Sequence, residues 1–204
     1  MESGSLHPVT AAMSPSGNPG PSFQASPRVL GSLRALVAFG GLTLLAGSLL
    51  APERTWANLL LASYYVLMLG LGGVLLIAIE YATGTGWSVA FRRIPEAMAK
   101  TLPAGALLFV AVLIVSPRLY PWFHEVHAGA DTTAWFREAW LTPWFFFLRA
   151  AVYLAAWIFF AHKIVANSRR QDADGDPRCR QANVRLSAAF LVVFGLTLSG
   201  ASFD

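Results

Sequence analysis

The sequence predicts an all-α integral membrane protein with about five transmembrane helices plus an interfacial amphipathic helix, and three observations carry that expectation. Hydrophobic residues make up 55% of the 204 and charged residues 13%, with a mean hydropathy of +0.53, whereas an ordinary soluble domain carries about 25% charged residues. The apolar residues gather into runs near the ~20 residues that cross a bilayer core of ~30 Å. Lys and Arg flank those runs unevenly: eleven fall on one side of a five-span arrangement, against Arg54, Arg118 and Arg137 on the other. That asymmetry follows the positive-inside rule and puts the N terminus in the cytoplasm. The net charge of +4 and pI near 9.6 therefore report topology; no dense basic patch points to nucleic acid.

Residues 1–28 are rich in Ser, Pro and Gly with little charge and no apolar periodicity, which predicts a disordered tail ahead of a helical transmembrane domain over 29–204. Neither a basic start nor a short apolar core marks a cleaved signal peptide. The first span is read at about 33–51, with Arg34 in its first turn, and Pro52-Glu53-Arg54 makes the turn that follows. A second span over about 56–80 holds Gly70, Gly72 and Gly73, small residues that let helices approach closely. Glu80 closes it.

Between Glu80 and Lys100 the chain breaks at Gly84 and Gly86, then spaces Trp87, Phe91 and Ile94 opposite Arg92, Arg93 and Glu96. This predicts a helix over about 87–99 lying in the membrane interface. Trp87 and Phe91 would dip into the acyl boundary while Arg92 and Arg93 snorkel toward lipid phosphates. A short third span follows at about 102–117, then a loop with His124 and His127. The fourth span is expected at about 143–163, opened by Pro143 at a helix first turn and carrying Arg149. Asn167 to Gln181 reads as a polar linker, and the fifth span occupies about 186–203.

An ionisable group inside a span is a functional candidate by default. Arg149 meets that criterion, as an anion-side or quinone-headgroup contact, as the partner of Glu80 or Asp204, or as a structural residue that snorkels or pairs with a neighbouring carboxylate. Glu80 can collect protons or neutralise Arg92 or Arg93, or serve only as a solvated boundary. His162, at the inner end of the fourth span, completes the set with Asp204. No metal site is read: His124-Glu125-Val126-His127 lacks the His-Glu-x-x-His spacing, and Asp172, Asp174 and Asp176 lack the later Glu of a calcium loop. No span has a central histidine for haem b, and Cys-x-x-Cys-His for covalent haem does not occur. Cys179 is the single cysteine and forms no internal disulfide.

Several separated strings resemble one family. They are Tyr81 to Met98, Phe146 to Tyr153, Trp157 to Ala161, Asn167 to Pro177, Asn183 to Phe190 and Ala201 to Asp204. Together they look like the second large membrane subunit of bacterial alternative complex III, a quinol:cytochrome c oxidoreductase, and are similar to polysulfide-reductase-type membrane subunits. The resemblance implies that these residues correspond to the N-terminal half of such a subunit, multi-pass in the bacterial inner membrane. It implies a scaffold and proton-handling role in a respiratory complex, with Glu80, Arg149, Asp204 and His162 as proton-transfer or quinone-pocket candidates. No cofactor would be bound by this chain itself, beyond contact with quinone or quinol; a paralogous quinone-binding membrane subunit, iron-sulfur subunits and haem c cytochrome subunits would be its partners in the lipid bilayer. A purely structural subunit and a small solute carrier are the alternatives. The carrier reading lacks the internal repeat and the broken mid-membrane helices that carriers show.

Overall fold

The computed structural model describes residues 26–84, 92–115, 140, 142–174 and 177–202. Among these the regular structure is entirely helical, and five helical segments are long and apolar enough to cross a membrane. The fold is that of an all-α membrane protein. By contact density the chain divides into two units, residues 1–44 and 45–204.

The first unit contributes most of α1 (Pro27–Leu50), a 24-residue helix that Pro27 opens. After Arg34 its side chains are uncharged and its leucines point to every side, as expected of a helix whose surroundings are apolar all round.

The second unit is built around α2 (Pro52–Thr83), whose 32 residues give a length of about 48 Å. Pro52 occupies the first turn, where a missing N–H costs nothing, and Glu53 beside it complements the positive end of the helix. At the far end Gly84 turns left-handed at φ 66° and its N–H donates to the Glu80 carbonyl, the conformation that favours glycine. The buried side of α2 is a stripe at helical spacing: Ser63, Leu67, Leu71, Val74, Ala78 and Tyr81.

Against that stripe lie α3 (Arg93–Ala99) and α4 (Leu102–Val115). They form one span of 23 residues interrupted at Lys100 and Thr101. Pro103 explains the break. It has no N–H to give to the Ala99 carbonyl one turn back, and its ring would clash there; Thr101 instead donates backbone N–H and hydroxyl to the Met98 carbonyl at 2.9 and 2.8 Å. The third span, short when read from Leu102 alone, gains its length from α3.

Lipid tails are as apolar as leucine, so packing, more than hydrophobic transfer, must hold such helices together. The α2 seam supplies it through backbone contact. A Cβ built at Gly70 would stand 2.7 Å from the Leu102 nitrogen, and one at Gly73 would stand 2.7 Å from the Pro95 oxygen. A Cβ at Gly105 on the facing helix would meet the Leu67 nitrogen at 2.8 Å. Gly72, between the first two, faces open space. Of the three α2 glycines marked from sequence, two serve the seam.

The last pair is α5 (Pro143–Asp174) and α6 (Pro177–Ala201), packed on each other and, through α6, on α2. Trp157, Ile164 and Phe190 bring them into the common core with Leu71, Ile77 and Leu102. Here the structure differs from the expected polar linker over Asn167 to Gln181: α5 runs on as helix to Asp174, and α6 begins at Pro177. Polarity misled because Ser168, Gln171 and Asp172 continue the inward face of α5 and find polar partners on α2 and α3. Pro177 then opens α6, in the first turn where its missing N–H costs nothing.

Candidate functional site

At the end of the second unit where α2 finishes and α3 starts, a polar cluster is assembled from three helices. Its centre is Glu96, a carboxylate only 3% exposed. Arg93 approaches one oxygen at 3.1 Å and Arg92 the other at 3.7 Å, one turn back on the same chain. Ser168 of α5 donates its hydroxyl to that second oxygen at 2.5 Å. Asp172, one turn further along α5, pairs with Arg92 and, at 2.8 Å, with Arg93. Tyr81 at the end of α2 receives a long contact from Arg92 and gives one to Gln171, both 3.4 Å. Two cations thus face two anions between the α3 segment and α5, with the Tyr81 hydroxyl of α2 beside them. A buried carboxylate requires this: desolvation costs several kcal/mol per ion and is offset only where charge and hydrogen bonds are supplied together.

One turn before Ser168 on α5, the Ile164 carbonyl meets further buried polar groups on α6. Asn183 is fully buried and donates to the Ile164 carbonyl at 3.3 Å, while its own Oδ1 and the Ser187 hydroxyl one turn on are buried without a hydrogen-bond partner among the described residues. Beyond Ser187 polarity stops at a phenylalanine layer. Phe190 lies 5.8 Å from Phe160 and 5.7 Å from Phe194 by ring centroids.

Past that layer, towards the opposite end, a cavity of about 450 Å³ opens between α2, α4, α5 and α6. Tyr64, Phe109, Phe146, Tyr153 and Trp157 form its aromatic wall, with Ser199 and Ser202 as the polar side. The Trp157 indole N–H donates to the Thr197 hydroxyl at 2.9 Å, fixing the ring.

The residues singled out from sequence fall in several places. Arg92 and Arg93 both pair with Glu96 and Asp172, Arg92 largely buried and Arg93 still largely exposed. The described helix begins at Arg93, and Ile94 on its opposite side is 60% exposed, while Trp87 and Phe91 lie outside the described residues. Glu80 is half-buried beside the cluster, within electrostatic reach of Arg92 and Glu96. Among the described residues Arg92 and Arg93 take their ion pairs from Glu96 and Asp172 and not from Glu80.

Arg149 is buried near the start of α5, its guanidinium 4.1 Å above the Trp140 ring and 4.7 Å above Phe145, with a 2.9 Å bond to the Trp140 carbonyl. The expected pairing of Arg149 with Glu80 is excluded by length. The 23 residues of α5 from Arg149 to Asp172, which sits at the Glu80 end, span about 34 Å. His162 is exposed on α5, away from the buried carboxylate. Asp204 lies outside the described residues, as do His124 and His127. Among the described residues no group of three or more His, Cys, Asp or Glu is placed to hold a metal.

Sequence reasoning passed over Glu96, Ser168 and Asp172. A signal for each was present. Glu96 stands three and four residues after two arginines, and the α5 core positions 154, 157, 161 and 164 lead by helical spacing to 168 and 172.

The class this geometry defines is a multi-pass helical membrane protein with a buried, charge-compensated carboxylate at one end and an aromatic cavity towards the other. No protein-family model and no curated protein matches the chain.

Proposed function

We propose that the chain is an integral subunit of a quinol:acceptor respiratory oxidoreductase complex in a bacterial inner membrane, with its N terminus in the cytoplasm, contributing scaffold helices and a site of proton exchange. In this reading it carries no redox centre; iron-sulfur and haem c groups belong to partner subunits. The observation that carries the proposal is the buried Glu96, held by Arg92, Arg93 and Ser168 and followed inward by Asn183 and Ser187. A carboxylate with such neighbours can exchange a proton with water that reaches them, and Ser168 and Ser187 are the hydroxyls beside the way. The sequence strings that resemble alternative complex III supply these same residues. The aromatic cavity beyond the phenylalanine layer offers the flat walls and hydroxyls that suit one side of a quinol headgroup.

A structural subunit is the second reading, and one observation favours it. From Ser187 to Thr197 the ten-residue rise along α6, about 15 Å, is lined by Phe190 and Phe194. Protons do not cross such a layer unless water does.

The test uses the assembled complex, purified from native membranes in mild detergent, with Glu96→Gln, Ser168→Ala and Glu80→Gln. A proton role predicts normal yield of complex with at least a tenfold fall in quinol oxidation or in proton coupling for Glu96→Gln. Lower yield with unchanged turnover per complex would establish the structural reading, and purification of the chain without redox partners would remove the respiratory one.

A further inference from the structure

A second cavity, of about 590 Å³, lies on the outside of the bundle where the α3–α4 corner meets α5. It exists because the helix break leaves α4 and α5 in sparse contact. Its lower wall is Pro103, Ile158 and Ala161; its rim is Lys100, His162 and Arg169, all exposed. Among the described residues no carboxylate lines it. The acids nearest in the chain, Glu96 and Asp172, are taken up by Arg92 and Arg93, and among the described residues Lys100 and Arg169 form no ion pair.

The order of these residues along α5 has a meaning in a bilayer. From Ile158 to Arg169 the axial rise is about 16 Å. That step passes from an apolar foot, through His162 near the end of the apolar segment, to a guanidinium beyond it. It matches the passage from acyl chain through glycerol to phosphate. Basic pockets between membrane helices hold anionic headgroups, each nearby cation contributing to the attraction. Two permanent cations and an imidazole around one opening, with apolar residues beneath, are complementary to one phosphodiester carrying acyl chains.

We infer that this groove is a binding site for one anionic phospholipid, with the phosphate between Lys100 and Arg169 and an acyl chain over Pro103 and Ile158. The site is independent of the respiratory reading. Lipid is favoured over an acidic protein segment because the apolar foot continues the bilayer-facing surface of α5, where Phe159 is 53% exposed.

The experiment is native mass spectrometry of the full chain, purified from membranes in mild detergent with any subunits that accompany it, titrated with dioleoyl phosphatidylglycerol or dioleoyl phosphatidylcholine. The wild-type chain should hold one equivalent of phosphatidylglycerol with at least tenfold preference. Lys100→Gln with Arg169→Gln should lower that binding tenfold or more, and Ile158→Trp, which fills the foot and leaves the charges, should lower it too. Arg170→Gln, exposed but not lining the groove, should leave it unchanged. Equal affinity for the two lipids, retention in both groove variants, displacement by millimolar inorganic phosphate, or a protein segment crosslinking to position 162 in place of lipid would each overturn the assignment.

Discussion

Arg92 and Arg93 offer a direct contest between distance and burial. Both pair with Glu96 and both with Asp172, and Arg93 has the shorter reach to Glu96, 3.1 Å against 3.7 Å. Their side chains differ in solvent: Arg92 is 15% exposed and Arg93 66%. Coulomb energy varies inversely with both separation and effective dielectric. Separation favours Arg93 by only about a fifth, whereas moving from a water-like value of ~80 to the ~20 of a partly buried site favours Arg92 about fourfold. Burial should win. Removing one partner of a buried pair costs about 3–5 kcal/mol and loss of an exposed one about 0–1. Because Ser168 and Arg93 still attend Glu96, Arg92→Met should cost about 3 kcal/mol, at the low end, and Arg93→Met less than about 1 kcal/mol. The assay is reversible unfolding in mixed micelles of mild detergent and dodecyl sulfate, followed by the fluorescence of the seven tryptophans. Pairing Arg92→Met with Glu96→Met should bring the loss back to within about 1 kcal/mol of wild type, since both charges are then gone. An Arg93→Met variant as unstable as Arg92→Met would refute the reasoning, because contact distance would then outrank solvent.

Three further outcomes follow from the packing and are read in the same assay. Gly73→Ala places a methyl group against the Pro95 oxygen and Met98 and should cost about 1–3 kcal/mol, while Gly72→Ala, in open space, should stabilise by up to about 1 kcal/mol; equal effects would remove the seam. Ser168→Ala withdraws a donor from a buried carboxylate and should cost about 1.5–3 kcal/mol, with Ser168→Thr restoring most of it if the hydroxyl is what matters. Phe190→Ala empties the centre of the core and should cost about 3–5 kcal/mol, a value under 1 showing that the aromatic layer is loosely packed.

Much of this architecture is legible in the sequence, because in a membrane composition decides before packing does. The run over α2 is too long and too free of charge to be anything but a span, the apolar part of α5 is interrupted only by Arg149, and the α2 glycines announce a close approach although not which two take part. What sequence hides is the partner of each polar residue. Asn167 to Asp174 has the composition of a linker, and only the approach of Arg92 and Arg93 from another helix makes it worthwhile as helix. Glu96 looks like one charge on the polar side of an interfacial segment, yet that side faces protein. Arg149 invites an anion as partner, and nothing in its spacing announces the aromatic faces of Trp140 and Phe145 over which its guanidinium lies. Each miss concerns contact between elements distant in sequence, which periodicity along one helix does not encode.

The pairing of Glu96 with residues three and four positions before it also bears on how the chain enters a membrane. A growing chain presents α3 to the lipid long before Ser168 and Asp172 have been made, more than 70 residues later. During that interval the carboxylate already has Arg92 and Arg93 within its own helical turn, so the segment is never committed to the bilayer as a bare anion. When α5 arrives it brings the second anion and the hydroxyl together, balancing the second arginine and fastening the segment in place. Synthesis order and charge order coincide: the early partners make insertion tolerable, and the late ones make it lasting.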